Sequence, residues 1–299
     1  MSEETIITAK TTSLKRILIT GANSYVGTSF ENYMKQWPET YQVDTVDMID
    51  GSWREKDFSE YDVVFHVAGI AHVNAKKNME ALYYNVNTKL TIETAKHAKQ
   101  CGVKQFIFMS SIIVYGESKS LKPVVITRET EPKPNGFYGN SKLQAEIGIK
   151  KLEDKDFKVV ILRPPMIYGP GSKGNFPKLI ALAKKTPLFP AYHNQRSMLY
   201  IENLCEFVRL IIENKEQGVF WPQNEEYVDT AELVKQLAKL QGKKIHLIKW
   251  MVPLIYFSSP ILKQMKKMFG SLVYEKQISL NFEGRYQIVD LANSLATLF

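Results

Sequence analysis

The sequence predicts an α/β protein: a doubly wound parallel sheet followed by a smaller, mixed α/β region. Three observations point there. Short runs rich in Val, Ile and Phe alternate with longer stretches of helical pattern, as strands buried on both faces do with their crossover helices. The first such run ends in a glycine turn that opens a helical stretch. Past about residue 165 the texture changes, and "PPMIYGPGSKGNFP" carries four prolines and three glycines.

The elements follow in order. "RILIT" (16–20) is the first strand and "YVGTSFENYMKQW" (25–37) the first helix. "YQVDTVD" (41–47), "YDVVFHVA" (61–68), "KQFIFMSS" (104–111) and "FKVVILRP" (157–164) are further strands. "MEALYYNVNTKLTIETAKHAKQCG" (79–102) and "YGNSKLQAEIGIKKLED" (138–154) read as helices between them. Right-handed crossovers then place a ligand site at the carboxyl ends of the strands. In the second region "PKLIALAKK", "ENLCEFVRLIIENK" and "DTAELVKQLAKLQG" are amphipathic helices, the last capped by Asp229 or Thr230. "WMVPLIYF" (250–257) is read as buried core in preference to a partner surface. The expected division is a polar tail over 1–13, a dinucleotide-binding domain over 14–165 and a substrate-binding region over 166–299. Of the last, about 195–215 is expected to return to the first sheet.

Composition narrows the function. With 299 residues, 44% hydrophobic and 23% charged, the chain suits a soluble globular protein with a sizeable core. It has no run of 18 apolar residues, and "MSEETIITAKTTSLK" has no apolar core, so neither a membrane span nor a signal peptide is expected. Cys101 and Cys205 are the only cysteines, which fits a reducing cytosol. A formal charge of +8 suits nucleic acid, a membrane surface or an anionic small ligand. The basic residues are spread out, apart from Lys263, Lys266 and Lys267, and no basic–aromatic patch suggests RNA. The five histidines (66, 72, 97, 193 and 246) lack metal-ligand spacing, and no G-x-S-x-G elbow marks a serine hydrolase.

Two motifs carry chemistry. "ITGANSYVG" (19–27) stands between strand and helix, where glycines let a pyrophosphate approach the helix N-terminal amides. A G-x-x-G-x-x-G spacing would put glycines at 21, 24 and 27, and the middle one is Ser24. Serine is tolerable there with a negative φ and its hydroxyl toward the phosphates. Asp47, 26 residues after Gly21, ends the second strand, where a carboxylate bonds an adenosine ribose and repels a 2′-phosphate. NAD(H) is therefore favoured, with NADP(H) as the alternative; Asp44 and Asp50 compete with Asp47 for the position. In "YGNSK", Tyr138 and Lys142 are four residues apart and share one helical face. A free tyrosine, with a pKa near ~10, is a poor base at neutral pH, and a neighbouring ammonium would bring the phenolate into range. Ser111, at a strand end, would hydrogen-bond the same reacting oxygen and stabilise its developing charge.

Taken together, "TGANSYVG", "FHVAG", "NVNTKLTIETA", "SSIIVYG", "YGNSK", "RPPMIYGPGSKGNF" and "QRSMLYIENL" resemble the extended short-chain dehydrogenase/reductases. Within them the similarity is to the NAD-dependent epimerase/dehydratase family acting on nucleotide sugars, over about residues 15 to 215. The resemblance implies a Rossmann fold in which Gly21, Ser24, Tyr25, Val26 and Gly27 line the pyrophosphate and Asp47 the ribose. Ala68, Gly69, Asn85 and Pro164 would border the cofactor, and Ser111, Tyr138 and Lys142 would be the catalytic trio. On the substrate side it implies Asn175, Phe176 and Arg196 around a sugar-nucleotide diphosphate, with Tyr115 and Met166 beside the sugar. Arg163 is read as structural, and His66 as a strand residue packed near the cofactor. Thr88 and Lys89 depart from the family's N-V-x-G-T motif, and Arg285 is an isolated candidate for its late nucleotide-binding arginine. The ending "LATLF" suggests that a C-terminal element is missing.

The run "RPPMIYGPGSKGNFPKL", with "NQRSMLYIENL" and the later "KMFGSLVY", is most similar to a narrower group, the bacterial capsule and O-antigen enzymes that reduce UDP-4-keto-6-deoxy-N-acetylhexosamines. A cytoplasmic NAD(P)-dependent 4-reductase making a surface-polysaccharide precursor is thus expected. A UDP-sugar 4-epimerase is the alternative, and a non-catalytic dinucleotide sensor a further one. Ile112 and Ile113 stand where 4,6-dehydratases place acidic residues, which argues against dehydration. A homodimer is left open.

Overall fold

The computed structural model describes residues 14–71, 77–117, 121–258, 266 and 268–299. The 1–13 tail, His72, Lys263 and Lys267 lie outside the described residues. The first half runs β1 (Lys15–Thr20), α1 (Tyr25–Met34), β2 (Tyr41–Val46) and β3 (Val63–His66). A helical run follows, α2 (Glu80–Tyr83), a π-helical segment Tyr84–Leu90 and α3 (Thr91–Gln100). Then come β4 (Gln105–Met109), β5 (Val124–Ile126), α4 (Phe137–Lys150) and β6 (Lys158–Leu162).

Five of these strands and β10 (Gly218–Phe220) form one parallel sheet in the order β10-β6-β4-β3-β1-β2. The chain winds outward from β1 to β2, then crosses back to β3 and continues the other way. The strand order therefore reverses between β1 and β3, and the carboxyl ends on either side of that point form a crevice. Alternate residues along the strands feed two cores. Ile17, Ile19, Phe65 and Ile107 pack with Phe30, Leu204 and Phe207 on one face. Leu18, Val64, Phe106 and Phe108 pack with Ala95, Ala145 and Ile149 on the other. Burial on both faces is what continuous apolar strands require.

The rest of the chain runs β7 (Met166–Tyr168), α5 (Phe176–Lys185), β8 (Leu188–Pro190), β9 (Met198–Tyr200) and α6 (Ile201–Glu213) before β10. After β10 come α7 (Thr230–Leu240), β11 (His246–Ile248), α8 (Val252–Ser258) and β12 (Leu272–Tyr274). Its short strands form parallel pairs: β7 with β9, β8 with β11, and β12 with β5. α6 packs against α1, and β10 extends the main sheet beyond β6. Asp229 is the α7 cap, its Oδ1 accepting from the amides of Ala231 (2.8 Å) and Glu232 (3.1 Å).

Two sequence expectations need correction. The 79–102 helix contains the wide π-helical segment, which apolar periodicity does not reveal. The segment 250–257 is not core. Ile255 is buried, but Trp250 is 70% and Phe257 79% exposed, and Leu254 and Tyr256 are exposed as well. A two-turn helix lying on the surface buries one face, and this one carries apolar residues all round.

Candidate active site

The glycine loop rests on the ends of two strands. Val46 O of β2 accepts from the amides of Gly21 (2.9 Å) and Ala22 (3.1 Å), while Thr20 O accepts from Ala68 (2.9 Å), just past β3. Gly21 has φ +113°, and a Cβ there would lie 2.8 Å from Ala68 N and 3.0 Å from its Cα. Only glycine fits. Asn23 takes a left-handed φ of 61°, and Ser24 follows with φ −75° as the cap of α1. The φ at Ser24 is thus negative as required, but its Oγ accepts from Gly27 N (3.1 Å) and serves the helix. Asp47 is exposed at the end of β2 and accepts from Ile49 N (2.7 Å). Asp44 lies 3.8 Å from Arg16 and Asp50 holds Ser52, so both rivals have structural work. The Tyr25 hydroxyl is buried without a hydrogen bond and lies close to Gly169, and Val26 packs against the core.

The trio comes from two elements. β4 ends at Met109, and Ser111 caps a 3₁₀ turn over Ile112–Tyr115, its Oγ accepting from Ile113 N (3.3 Å). α4 carries Tyr138 in its first turn and Lys142 one turn later. The Tyr138 phenol is hydrogen-bonded to the Ser111 hydroxyl, and burial pushes its pKa up to about 12 against the lowering effect of that bond. The expected lowering by Lys142 is not found. The Lys142 ammonium is buried, donates to Met109 O (2.9 Å) and sits 4.7 Å from the Phe108 ring centre. Burial pushes its own pKa down to about 8, with Glu146 acting in the opposite sense. Both groups are thereby driven toward their neutral forms.

Gly69 ties the segment after β3 to these side chains. A Cβ on it would lie 3.0 Å from Lys142 Nζ and 3.1 Å from Asn87 Oδ1. Asn87 was not anticipated. It is fully buried, its Oδ1 accepts from Ile70 N (2.8 Å), and its Nδ2 donates to Ile70 O and Ser141 Oγ (both 3.1 Å). Thr88 Oγ1 donates to Ser141 O (2.6 Å) from the next position. Asn85, the expected asparagine, is exposed. The π-helical segment turns Asn87 toward the crevice and Asn85 away. His66 is fully buried on β3, with Nδ1 2.7 Å from Thr20 Oγ1 and Nε2 3.0 Å from Thr91 Oγ1. Because Thr91 Oγ1 donates to Asn87 O (2.9 Å), it must accept from His66, which assigns the proton to Nε2. Burial, with Lys142 close by, holds that imidazole neutral with a pKa of about 3.

Behind the trio is a buried ion pair that the sequence reading left out. Glu146, one turn after Lys142, accepts from Arg163 Nη2 (2.6 Å), Arg163 Nε and the Ser110 hydroxyl. Arg163 Nη1 (2.6 Å) and Trp221 Nε1 (2.7 Å) both donate to the Tyr115 hydroxyl oxygen. Arg163 is structural as expected, and it fixes Tyr115. Pro164 is buried and its carbonyl accepts from Ile112 N (2.9 Å), holding the serine turn. A cleft of about 160 Å³ opens beside Tyr138, lined by Ile113, Glu117, Asn135, Gly136 and Phe137.

The other substrate candidates are spread along the second region. Met166 begins β7 and is half-buried, and Asn175 is the exposed cap residue of α5. The Phe176 side chain is fully buried against Tyr168, ring centres 4.9 Å apart, so only its backbone can meet a ligand. Arg196 bridges Val228 and Leu272 through its backbone, and its Nη1 donates to Met268 O (3.3 Å). Desolvation lowers its pKa, the mark of a guanidinium drawn into the protein. Among the described residues no His, Cys, Asp and Glu cluster could hold a metal ion, and no helix is long and apolar enough to cross a membrane.

A dinucleotide fits this arrangement. The Gly21 cradle, the amides opening α1, Asp47 at the end of β2 and Lys142 beside Gly69 all gather where the strand order reverses. Comparison with known proteins agrees. Residues 17–221 match the model of the NAD dependent epimerase/dehydratase family. A UDP-glucose 4-epimerase of Vibrio cholerae is 33% identical over 307 residues, covering 95% of this chain and 90% of that protein. The N-acetyl-alpha-D-glucosaminyl-diphospho-ditrans,octacis-undecaprenol 4-epimerase of Escherichia coli O157:H7 is 28% identical, covering 77% and 73%. The fold is shared with the Bacillus cereus UDP-glucuronic acid 4-epimerase solved with NAD (TM-score 0.72, 19% identity, 95% of this chain and 97% of that one). It is shared also with the Bacillus anthracis dTDP-4-dehydrorhamnose reductase solved with NADP (TM-score 0.73, 18% identity, 95% and 98%). The chain is a member of the NAD dependent epimerase/dehydratase family.

Proposed function

We propose that the protein oxidises and reduces C4 of a hexose carried on a nucleotide diphosphate, with NAD(H) as the favoured cofactor and NADP(H) as the alternative. The observation that carries this reading is the Tyr138 phenol bonded to Ser111, on the same helical face as the buried Lys142. When bound, the nicotinamide dinucleotide supplies the hydride acceptor and donor. The protein's own groups handle the proton and the charge. Tyr138 takes the proton of the C4 hydroxyl as that carbon is oxidised and returns it on reduction. Ser111 hydrogen-bonds the same oxygen and stabilises the charge that develops there. Lys142 would hold the nicotinamide ribose beside Gly69, and Asn87 keeps Gly69–Ile70 at that distance. Asp47 would take the adenosine ribose. Arg196 would pair with the substrate diphosphate, a role suited to a desolvated guanidinium.

Two outcomes share this chemistry. Curated relatives named as 4-epimerases, one of them similar along 95% of the chain, favour 4-epimerisation. The motifs "RPPMIYGPGSKGNF" and "KMFGSLVY" favour net reduction of a UDP-4-keto-6-deoxy-N-acetylhexosamine in surface-polysaccharide synthesis. The deciding experiment incubates the protein with a UDP-4-keto-6-deoxy-N-acetylhexosamine plus NADH or NADPH, and separately with UDP-glucose or UDP-N-acetylglucosamine and catalytic NAD. Stoichiometric cofactor consumption in the first marks a reductase; interconversion of C4 epimers in the second marks an epimerase. Failure of both, with dinucleotide binding intact, would leave the sensor reading.

A further inference from the structure

The exposed segment 250–257 lies in a region of unusual charge. Residues 233–274 contain eight lysines and no aspartate, glutamate or arginine, a surplus equal to the +8 of the whole chain. Residues 164–201 add four lysines and one arginine, again without an acid. The fold brings the two stretches together, because α5 packs on α7 and β8 pairs with β11. Lys184 and Lys185 at the end of α5, Lys243 and Lys244 before β11, and Lys249 after it are all exposed. Beside Lys249 stand Trp250 and, one α8 length away, Phe257, the two most exposed aromatics of the segment.

Lone exposed apolar residues are ordinary, but indole and phenyl groups on a lysine-rich stretch whose own sequence carries no acid are the composition of a bilayer-surface face. The acids that come near it, Asp229 and Glu232 on α7, are paired with His193 and Lys235. Aromatic rings settle at the headgroup level, and lysine stems cover apolar surface while their ammonium groups reach lipid phosphates. A second copy of this chain would bring the same positive charge to the contact, so the charge disfavours self-association.

We propose that the face formed by Lys184–Lys185, Lys243–Lys244 and Lys249–Phe257 docks the protein on an anionic lipid bilayer. The same face is tied to the candidate diphosphate site. Tyr256 touches Tyr192 (5.8 Å between ring centres), Tyr192 touches Phe269 (5.6 Å), and Arg196 donates to the carbonyl of Met268 next to it. Docking thus sets that end of the crevice close to the membrane plane. It is independent of whether the C4 chemistry is reduction or epimerisation.

The test is co-flotation of the full protein with vesicles of equal parts phosphatidylcholine and phosphatidylglycerol, against vesicles of phosphatidylcholine alone. Binding is expected on the anionic vesicles and should weaken as salt is raised. Removing three lysine charges (Lys243→Gln, Lys244→Gln, Lys249→Gln) should lower that affinity by on the order of 100-fold, at about fivefold per lysine. The double variant Trp250→Glu, Phe257→Glu should lower it at least tenfold while circular dichroism and turnover of a soluble UDP-sugar stay unchanged. A blue shift of tryptophan emission on anionic vesicles, lost in Trp250→Phe, gives a second readout. Equal flotation with both vesicle types, no flotation at all, or unchanged binding by the double variant would each overturn the proposal. So would a double variant whose only change is a smaller mass in solution, which would make this face an interface between copies.

Discussion

Replacing Lys142 by methionine should abolish turnover and yet stabilise the protein near neutral pH. Burial takes the pKa of this ammonium from an ordinary 10.5 to about 8. At about 1.4 kcal/mol per tenfold change, that corresponds to roughly 3 kcal/mol by which the buried charge destabilises the fold at pH 7. Methionine removes that cost and keeps the stem's packing, at a loss of about 1 kcal/mol for the Met109 carbonyl left without its donor. The net expectation is a gain of about 2 kcal/mol at pH 7. The sign with pH follows. Between about 8 and 10.5 the unfolded chain binds the proton that folded Lys142 has released, so the wild type gains stability across this window and the variant does not. The stability difference should therefore shrink by about 2 kcal/mol between pH 7 and pH 10. Urea unfolding of both proteins at several pH values measures it. A variant less stable than wild type at pH 7, or a difference that ignores pH, would refute the electrostatic reasoning.

Other substitutions separate catalysis from structure. Tyr138→Phe should lower kcat by on the order of 10² or more with dinucleotide binding kept, as read by single-turnover assay and by NADH titration; near-normal turnover would remove the phenol from the mechanism. Asn87→Ala should lose three hydrogen bonds and cost about 2 kcal/mol of stability as well as turnover, whereas Asn85→Ala should be silent in both. The reverse pattern in thermal melts would restore Asn85. Glu146→Gln leaves the Arg163 guanidinium buried without its counter-charge, and should lower the unfolding free energy by about 3 kcal/mol in urea titrations. Arg196→Ala should raise KM for the UDP-sugar far more than KM for the cofactor, and equal effects would take Arg196 out of the diphosphate site.

What the sequence made legible was local. The glycine turn, the apolar strands and the Tyr138–Lys142 spacing are each set within a few residues, and each stands where the pattern put it. Glu146 could have been found by the same rule, since it continues the four-residue step from Tyr138 through Lys142. Its partner Arg163 could not, because the pairing joins a helix to the end of a strand 17 residues on. Asn87 was hidden for another reason. A π-helical segment breaks the 3.6-residue repeat on which any assignment of faces depends, so the motif asparagine and the buried one are two residues apart. The three-residue strands of the second region are too short to show alternation. The segment 250–257 was misread because apolar content says nothing of which faces are covered. Its surroundings became informative only through what they lack, the acids missing from residues 233–274.

The direction of both titrations also constrains how the trio can work. Burial raises Tyr138 to about 12 and lowers Lys142 to about 8, so the protein alone holds the phenol protonated and weakens the cation one helical turn on. Lys142 spends its ammonium on the Met109 carbonyl and the Phe108 ring, within reach of Gly69. If Tyr138 is the base of the proposed C4 chemistry, the positive charge that favours its phenolate would then come with the oxidised dinucleotide. In the proposed reducing direction, conversely, a substrate ketone would be offered a proton by a phenol that already carries one. By this logic the proton donor is ready in the free protein, whereas the proton acceptor is assembled on binding. The pH dependence of kcat/KM in the oxidising direction should therefore follow the loaded site, and differ from that of the reducing direction.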